Sequence, residues 1–533
     1  MSLFAHILKH VKKDRPGLPP EGLMLPGAES WSGSSPFLAG SADHLAVYGG
    51  GIKVGEKAVE AAVDLIVESA RELGATREPS DELILKMEMA LDREEPLAVV
   101  DSAIERVLAL ELTDWEPLYD ALSAIALNTT RPRALKTAMG LLGAFQEEET
   151  IPFFATMARH PEFSLFATTA LANDVSPRAR AELLTLLEMT QGWAKIDVVE
   201  RLLRVEELDL ADVLLTKSMD GVEPLGGYIA IGVAERCDLA GALSSSDLMR
   251  DTLTGACHVL AQLASDAVEG GPLGSLDDYS DAADAIDAFV ERLPGGPADL
   301  DMAEASLALQ RWAAARDAGD VIEATAAYLE RPDVIGAMID AISGKDAAVR
   351  DRAAALAGRA GMTDALTTLL EIHRKNPEDD AVIAAAVCLA GGKDLEGLRD
   401  RMIARIRPET RTGDPLAHPW MDAAARHTWQ YVALLEALPR LGDPASRGIL
   451  RTATTDRDPA VRRAAVRSLK SLRSEDPADR AALDAAAKDP SASVAREAPR
   501  LKPRKPKAPP EKVREKPGPH RPPKKCAGKK KPR

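Results

Sequence analysis

Asp458-Pro459-Ala460-Val461-Arg462-Arg463-Ala464-Ala465-Val466-Arg467-Ser468-Leu469 is the stretch on which the fold turns. Asp accepts hydrogen bonds from the free backbone N–H groups at a helix start, and Pro is at ease in the first turn. Behind them, Val461 and Ala465 are small enough to fill a shallow groove between two helices. Arg462, one turn in, can reach a carboxylate on a neighbouring segment. The motif describes a helix made to lie against another helix, and its chemistry is structural.

The arrangement recurs. Asp346, Val349, Arg350 and Ala353 repeat the spacing of Asp458, Val461, Arg462 and Ala465. Asp443-Pro444 and Leu450 return 33 residues later as Asp476-Pro477 and Leu483, and Asp458-Pro459 returns after 31 as Asp489-Pro490. Ala353 and Leu356 return after 33 as Ala386 and Leu389. Such a period is the length of one helix pair with its turns. One pair cannot bury its apolar face alone, so neighbours must stack.

This pattern resembles the HEAT repeat of bacterial, Armadillo-type α-solenoids, specifically over residues 343–372 and 439–499 and approximately over 85–342. The resemblance implies an all-α fold, a right-handed α-solenoid of stacked helix hairpins, here about ten pairs. It also implies that Asp346, Arg350, Asp458 and Arg462 belong to a ladder of Asp and Arg along the inner helices. Solenoids of this kind serve many partners, so the resemblance fixes no ligand.

Composition agrees with helices on helices. Of 533 residues 45% are hydrophobic but only 4% aromatic, and Ala and Leu, the strongest helix formers, dominate the apolar set. Helical spacing begins near residue 52, with Ala58, Ala61, Ala62, Leu65 and Ile66 on one face. Breaks at Asp92–Pro96, Thr129–Pro132, Glu147–Pro152, Asn173–Pro177 and Asp220–Gly227 then separate blocks of ordinary helix length. Five regions follow: an irregular Pro/Gly/Ser-rich arm (1–51), the N-terminal half of the array (52–269), an acidic hinge or insertion (270–297), HEAT-like repeats (298–499), and a disordered Lys/Pro-rich tail (500–533). In the arm, Trp31, Phe37, Leu38 and Tyr48 are suited to anchor it on a neighbouring surface.

No stretch reaches the roughly 18 apolar residues of a membrane-spanning helix, and the N-terminus places its apolar residues before Lys9, Lys12 and Lys13, the reverse of a secretory signal. Cys237, Cys257, Cys388 and Cys526 lack short paired spacing and read as reduced thiols. The expectation is a cytoplasmic protein that does not engage membranes.

Tests for reactive chemistry give little. Gly50 and Gly55 have the spacing of a phosphate loop, but Glu56 stands where Lys is needed and would repel phosphate. The helical-repeat deoxyhypusine hydroxylase holds two irons with His-Glu pairs, and none of the nine histidines here is followed by Glu. Asp277, Asp278, Asp281, Asp284 and Asp287 lack the alternating ligands, central Gly and terminal Glu of a calcium loop. No catalytic, cofactor-binding or metal-binding residue is assigned.

Two features suit contact with partners. Trp420, Trp429 and Tyr431 cluster where an aromatic cap on a repeat and a protein-binding hot spot are both open readings. The tail sets fifteen Lys or Arg against Glu511 and Glu515, in a chain whose net charge is −16. Its clusters, Lys502, Arg504, Lys505 and Lys507, then Lys524 and Lys525, then Lys529, Lys530 and Lys531, suit an anionic partner or the chain's own acidic body. The expectation is a non-enzymatic scaffold or adaptor for a protein partner. A nucleic-acid-associated protein making nonspecific phosphate contacts through the basic tail and the last repeats (Arg462, Arg463, Arg467, Lys470 and Arg473), and a helical-repeat protein that is lyase-like or oxidoreductase-like, stand as alternatives.

Overall fold

A computed structural model describes residues 1–26, 41–49, 54–205, 209–222, 225–269, 271–391, 394–395, 397–398, 432, 434–456, 459–473 and 475–498. No strand occurs among them. The arm contributes three short helices, α1 (Leu3–His10), α2 (Pro20–Leu23) and α3 (Ser41–Gly49). The array begins with α4 (Glu56–Gly74), and from there helices alternate between two layers. The pairs are α5 (Asp81–Leu91) with α6 (Pro96–Leu108), α7 (Glu116–Asn128) with α8 (Pro132–Gly143), α9 (Ile151–Met157) with α10 (Ser164–Asn173), and α11 (Pro177–Met189) with α12 (Gly192–Leu203). The shorter α13 (Ala211–Lys217), α14 (Ala230–Arg236) and α15 (Leu239–Ser244) lead into the long α16 (Arg250–Glu269), then α17 (Ala282–Arg292) and α18 (Leu300–Ala314). Two successive helices, α19 (Gly319–Leu329) and α20 (Pro332–Ser343), precede α21 (Ala347–Ala360). Then come α22 (Leu366–Lys375) with α23 (Asp380–Leu389), α24 (Pro444–Ala453) with α25 (Pro459–Ser471), and α26 (Pro477–Ala486) with α27 (Ala492–Glu497).

The first layer is the row α4, α6, α8, α10, α12, α14, α16, α18, α21 and α23, each helix packed on the next. The second layer covers its back. Contacts between successive hairpins build an α-solenoid, in which each repeat is stabilised by its neighbours.

Local chemistry explains the helix boundaries. Asp443 accepts from Ser446 N ahead of Pro444, Asp476 from Ala478 N ahead of Pro477, and Ser176 from Ala179 N ahead of Pro177. Each pairs a side-chain cap with a proline in the first turn. Gly361 ends α21 with φ +72°, a conformation that costs glycine nothing. The breaks read from sequence coincide with these ends: α5 stops at Leu91 and α6 starts at Pro96, and α10 stops at Asn173 before Pro177.

One continuous core runs from Leu3 to Leu469, and a smaller cluster of Val466, Ala486, Val494 and Ala498 closes the C-terminal end. Small residues set the spacing. A Cβ on Gly255 of α16 would lie 1.8 Å from the Leu215 carbonyl oxygen of α13, and one on Gly143 of α8 would lie 2.7 Å from Ala170 Cβ of α10.

The arm lies on the array. Leu3 N donates to Thr129 O, Gly17 N donates to Met189 O, and Arg159 Nη2 donates to the carbonyls of Lys12 and Arg15. The acidic stretch within 270–297 supplies α17, packed on α15, and a loop whose Asp277 accepts from Trp312 Nε1 (3.0 Å) and Arg316 Nε (2.8 Å). Among the described residues no group of three or more His, Cys, Asp or Glu is placed to hold a metal ion. No described helix is long and apolar enough to cross a membrane.

Candidate functional site

Of the residues singled out by sequence, Asp346 caps α21, accepting from Ala348 N (2.8 Å) and Val349 N (3.2 Å). Arg350, one turn further on, places Nη2 3.0 Å from Asp379 Oδ2 at the start of α23. Arg462 grips Asp489 through Nε (2.8 Å) and Nη2 (2.9 Å), and its Nη1 donates to Asp456 O (3.0 Å). The Arg462 and Asp489 side chains are 4% and 8% exposed. Asp458, Trp420, Trp429, Tyr431 and the tail residues Lys502, Arg504, Lys505, Lys507, Lys524, Lys525, Lys529, Lys530 and Lys531 lie outside the described residues. The partners missed by sequence reading, Asp379 and Asp489, are periodic copies of Asp346 and Asp458. Thus the arginine of one hairpin meets the aspartate of the next.

The structure adds a site near the N-terminus that the sequence did not reveal. Helix α3 docks on α12 through His44 Nε2, 2.8 Å from Asp197 Oδ1, with both side chains 1% exposed. Ser164 Oγ donates to the other oxygen of Asp197. Beside this pair, Lys136 of α8 is buried and donates to Asp43 Oδ2 (2.6 Å) and Glu162 Oε1 (2.5 Å). Burial opposes its charge, but Glu162 and Asp43 outweigh burial and raise its pKa. An aromatic cluster completes the contact: His44 stacks on Trp193 with ring centroids 4.3 Å apart, and Tyr48 packs against Tyr228 at 4.7 Å. Tyr48 donates its hydroxyl to Glu200 Oε1 (2.6 Å), and burial followed by Glu200 raises its pKa. Tyr48 therefore anchors the arm. The warning in the sequence was local: Lys136 and Asp197 are charges set among apolar neighbours on buried helix faces.

With α3 in place, α6, α8, α10 and α12 enclose a groove-like cavity of about 370 Å3. Its walls are Val100, Ile104, Leu165, Phe166 and Ala170, and Arg201 and Arg204 stand along one side. A second groove of about 520 Å3 crosses α16, α18 and α21 on the same layer. Leu307, Ala308 and Leu356 form part of its lining, with Arg311, Arg352 and Arg359 among its charges. Arg352 is held by Asp301 (3.0 Å) and Glu304 (2.5 Å), and Asp301 also meets His258 Nε2 (2.9 Å).

Ser164 gives its hydrogen bond to the carboxylate of Asp197, whereas an activated serine would give it to the histidine. The Cys237 and Cys257 thiols are buried, and desolvation pushes Cys237 up to about 12 and raises Cys257 as well, leaving both protonated and unreactive at neutral pH. What the first layer offers is apolar floor, fixed charges and two concavities.

A family model described as HEAT repeats matches residues 422–500. No curated protein matches the chain. Over its C-terminal hairpins the chain is thus similar to HEAT repeats, and the hairpins stacked ahead of them extend the same two-layer construction toward the N-terminus.

Proposed function

We propose that this protein is a non-enzymatic scaffold or adaptor that holds a protein partner against its first layer. The observation that carries this reading is the second groove, in which three successive first-layer helices present one surface of apolar floor and arginine. Helix rows of this kind offer long, shallow contact areas, and Arg beside apolar pockets is the composition of binding hot spots. Similarity to HEAT repeats supports the same reading, since such repeats commonly serve as interaction scaffolds.

The test blocks the groove. Ala355 lies in its wall and is partly exposed, so Ala355→Trp fills it without uncovering core. The wild-type chain should capture a stoichiometric partner from its native host, and Ala355→Trp, with an unchanged helical circular dichroism spectrum, should lose it. Capture of nothing at low and moderate salt, or equal capture by the variant, overturns the proposal.

A second reading rests on the basic tail. Fifteen cationic residues in 500–533 suit phosphate contacts, and binding of this type weakens steeply with salt. Deleting 500–533 should abolish salt-sensitive binding to generic DNA. Absence of such binding in the intact chain rejects it.

A further inference from the structure

The cavity beneath α3 is lined by a half-buried cation, Arg201 of α12, with one donor unfilled. Its Nε is buried, and that nitrogen has no hydrogen-bond partner among the described residues. Arg159 Nε likewise has none, although the Arg159 guanidinium is held through Nη2. Lys136 has Asp43 and Glu162, and Arg159 has the carbonyls of the arm. Burial lowers the pKa of Arg201 more than the nearby Asp197 carboxylate raises it, so its desolvation is incompletely offset. A buried donor left unmade costs free energy, and such groups in native proteins call for an explanation.

Arg201 Nε is closed to solvent, so a ligand would meet the accessible remainder of the guanidinium. Arg204 lines the same cavity one turn along, and the remaining walls are largely apolar. Two carboxylates also line it, Glu200 and Asp101. Glu200 is occupied by the Tyr48 hydroxyl, and Asp101 lies exposed on α6. The two arginines balance the two carboxylates, so one added negative charge is tolerated better than two. A volume of about 370 Å3 falls within the range of about 300–1,000 Å3 of small-molecule sites, which pair apolar walls with a few placed polar groups. Guanidinium is also the side chain whose planar donors match a carboxylate.

We propose that this cavity binds a small organic monocarboxylate with an apolar body, the carboxylate on Arg201 and Arg204 and the body against Val100, Ile104, Leu165 and Phe166. The site is separate from the second groove, so the protein carries a small-molecule input beside its partner-binding surface. Because α3 supplies His44, Val47 and Tyr48 to the lining, an occupied cavity also gains a contact that holds the arm down.

Isothermal titration of the full chain decides the matter, with octanoate as the probe and 1-octanol and octyl phosphate as its neutral and doubly charged counterparts. Octanoate should bind saturably at one site, and each counterpart should bind about tenfold more weakly or less, the loss expected for one charge-assisted hydrogen bond. Arg201→Gln should weaken octanoate about tenfold, and the exposed Arg204→Gln should weaken it by a smaller factor. Should Arg201→Gln fail to fold, Arg204→Gln and the three-ligand comparison still decide. No saturable octanoate binding, equal binding of 1-octanol, tighter binding of octyl phosphate, or undiminished binding by a folded Arg201→Gln overturns the proposal.

Discussion

Arg350 on α21 reaches the next first-layer helix and meets Asp379, with Nη2 3.0 Å from Oδ2, while Asp379 Oδ1 accepts from Val382 N and caps α23. One carboxylate thereby caps the start of a helix and ties two hairpins together. The Asp379 side chain is 3% exposed, so losing it leaves Arg350 without this partner and the start of α23 without its cap. Asp379→Ala should destabilise the C-terminal hairpins by about 3 kcal/mol, and Asp379→Asn, which keeps the cap, by about 1 kcal/mol. Hydrogen exchange across α21–α23 reads this directly. Equal protection in both variants would show that the cross-hairpin contact contributes nothing.

Glycine at 255 is demanded by backbone, not by turn geometry. A Cβ there would sit 1.8 Å from the Leu215 carbonyl oxygen, and a main-chain atom cannot move aside as a side chain can. Gly255→Ala should cost about 3 kcal/mol by forcing α13 off α16. Gly336 lies inside α20 with nothing within 4 Å of its added Cβ. Gly336→Ala should therefore stabilise by about 0.5–1 kcal/mol. Thermal denaturation of the two variants should shift in opposite directions, and a common direction contradicts the packing.

His160 gives the fold an acid-sensitive point. Its Nδ1 accepts from Glu162 N (3.1 Å) and its Nε2 lies 3.3 Å from Leu23 O, and burial pushes its pKa down to about 4. In the unfolded chain it titrates near 6.5, so between about pH 6.5 and 4 the unfolded state binds a proton that the folded state refuses. Stability present above pH 6.5 is lost as pH falls through this window, by about 3 kcal/mol at most. His160→Asn should show a smaller drop in Tm from pH 7.5 to 4.5 than the wild type. Parallel curves would remove His160 from the account.

The buried triad of Asp43, Lys136 and Glu162 fastens α3 to α8. Lys136→Met removes the cation between two carboxylates and leaves them facing each other, at a cost of about 3–5 kcal/mol. Release of α3 should make the arm far more susceptible to limited proteolysis while the rest of the array persists. Asp43→Asn, which keeps a hydrogen-bond acceptor for Lys136, should show a smaller increase. A protected arm in Lys136→Met would mean that the aromatic contacts of His44 and Tyr48 suffice.

The sequence by itself determined what depends on near neighbours. Asp-Pro pairs specify helix starts because cap and proline act within one turn, and so Asp443-Pro444 and Asp476-Pro477 begin α24 and α26. Small apolar residues returning every 31 to 33 positions specify stacked hairpins, because a helix pair must shelter its face on the next. Tertiary structure alone decided which groups meet across distance. His44 and Asp197 stand 153 positions apart and Lys136 and Asp43 stand 93 apart, and no periodicity links them. The cavity beside Arg201 exists because four helices and the docked α3 converge there. Its shape follows from how far apart packed backbones come to rest, a distance set jointly by every side chain between them and by no local run of residues.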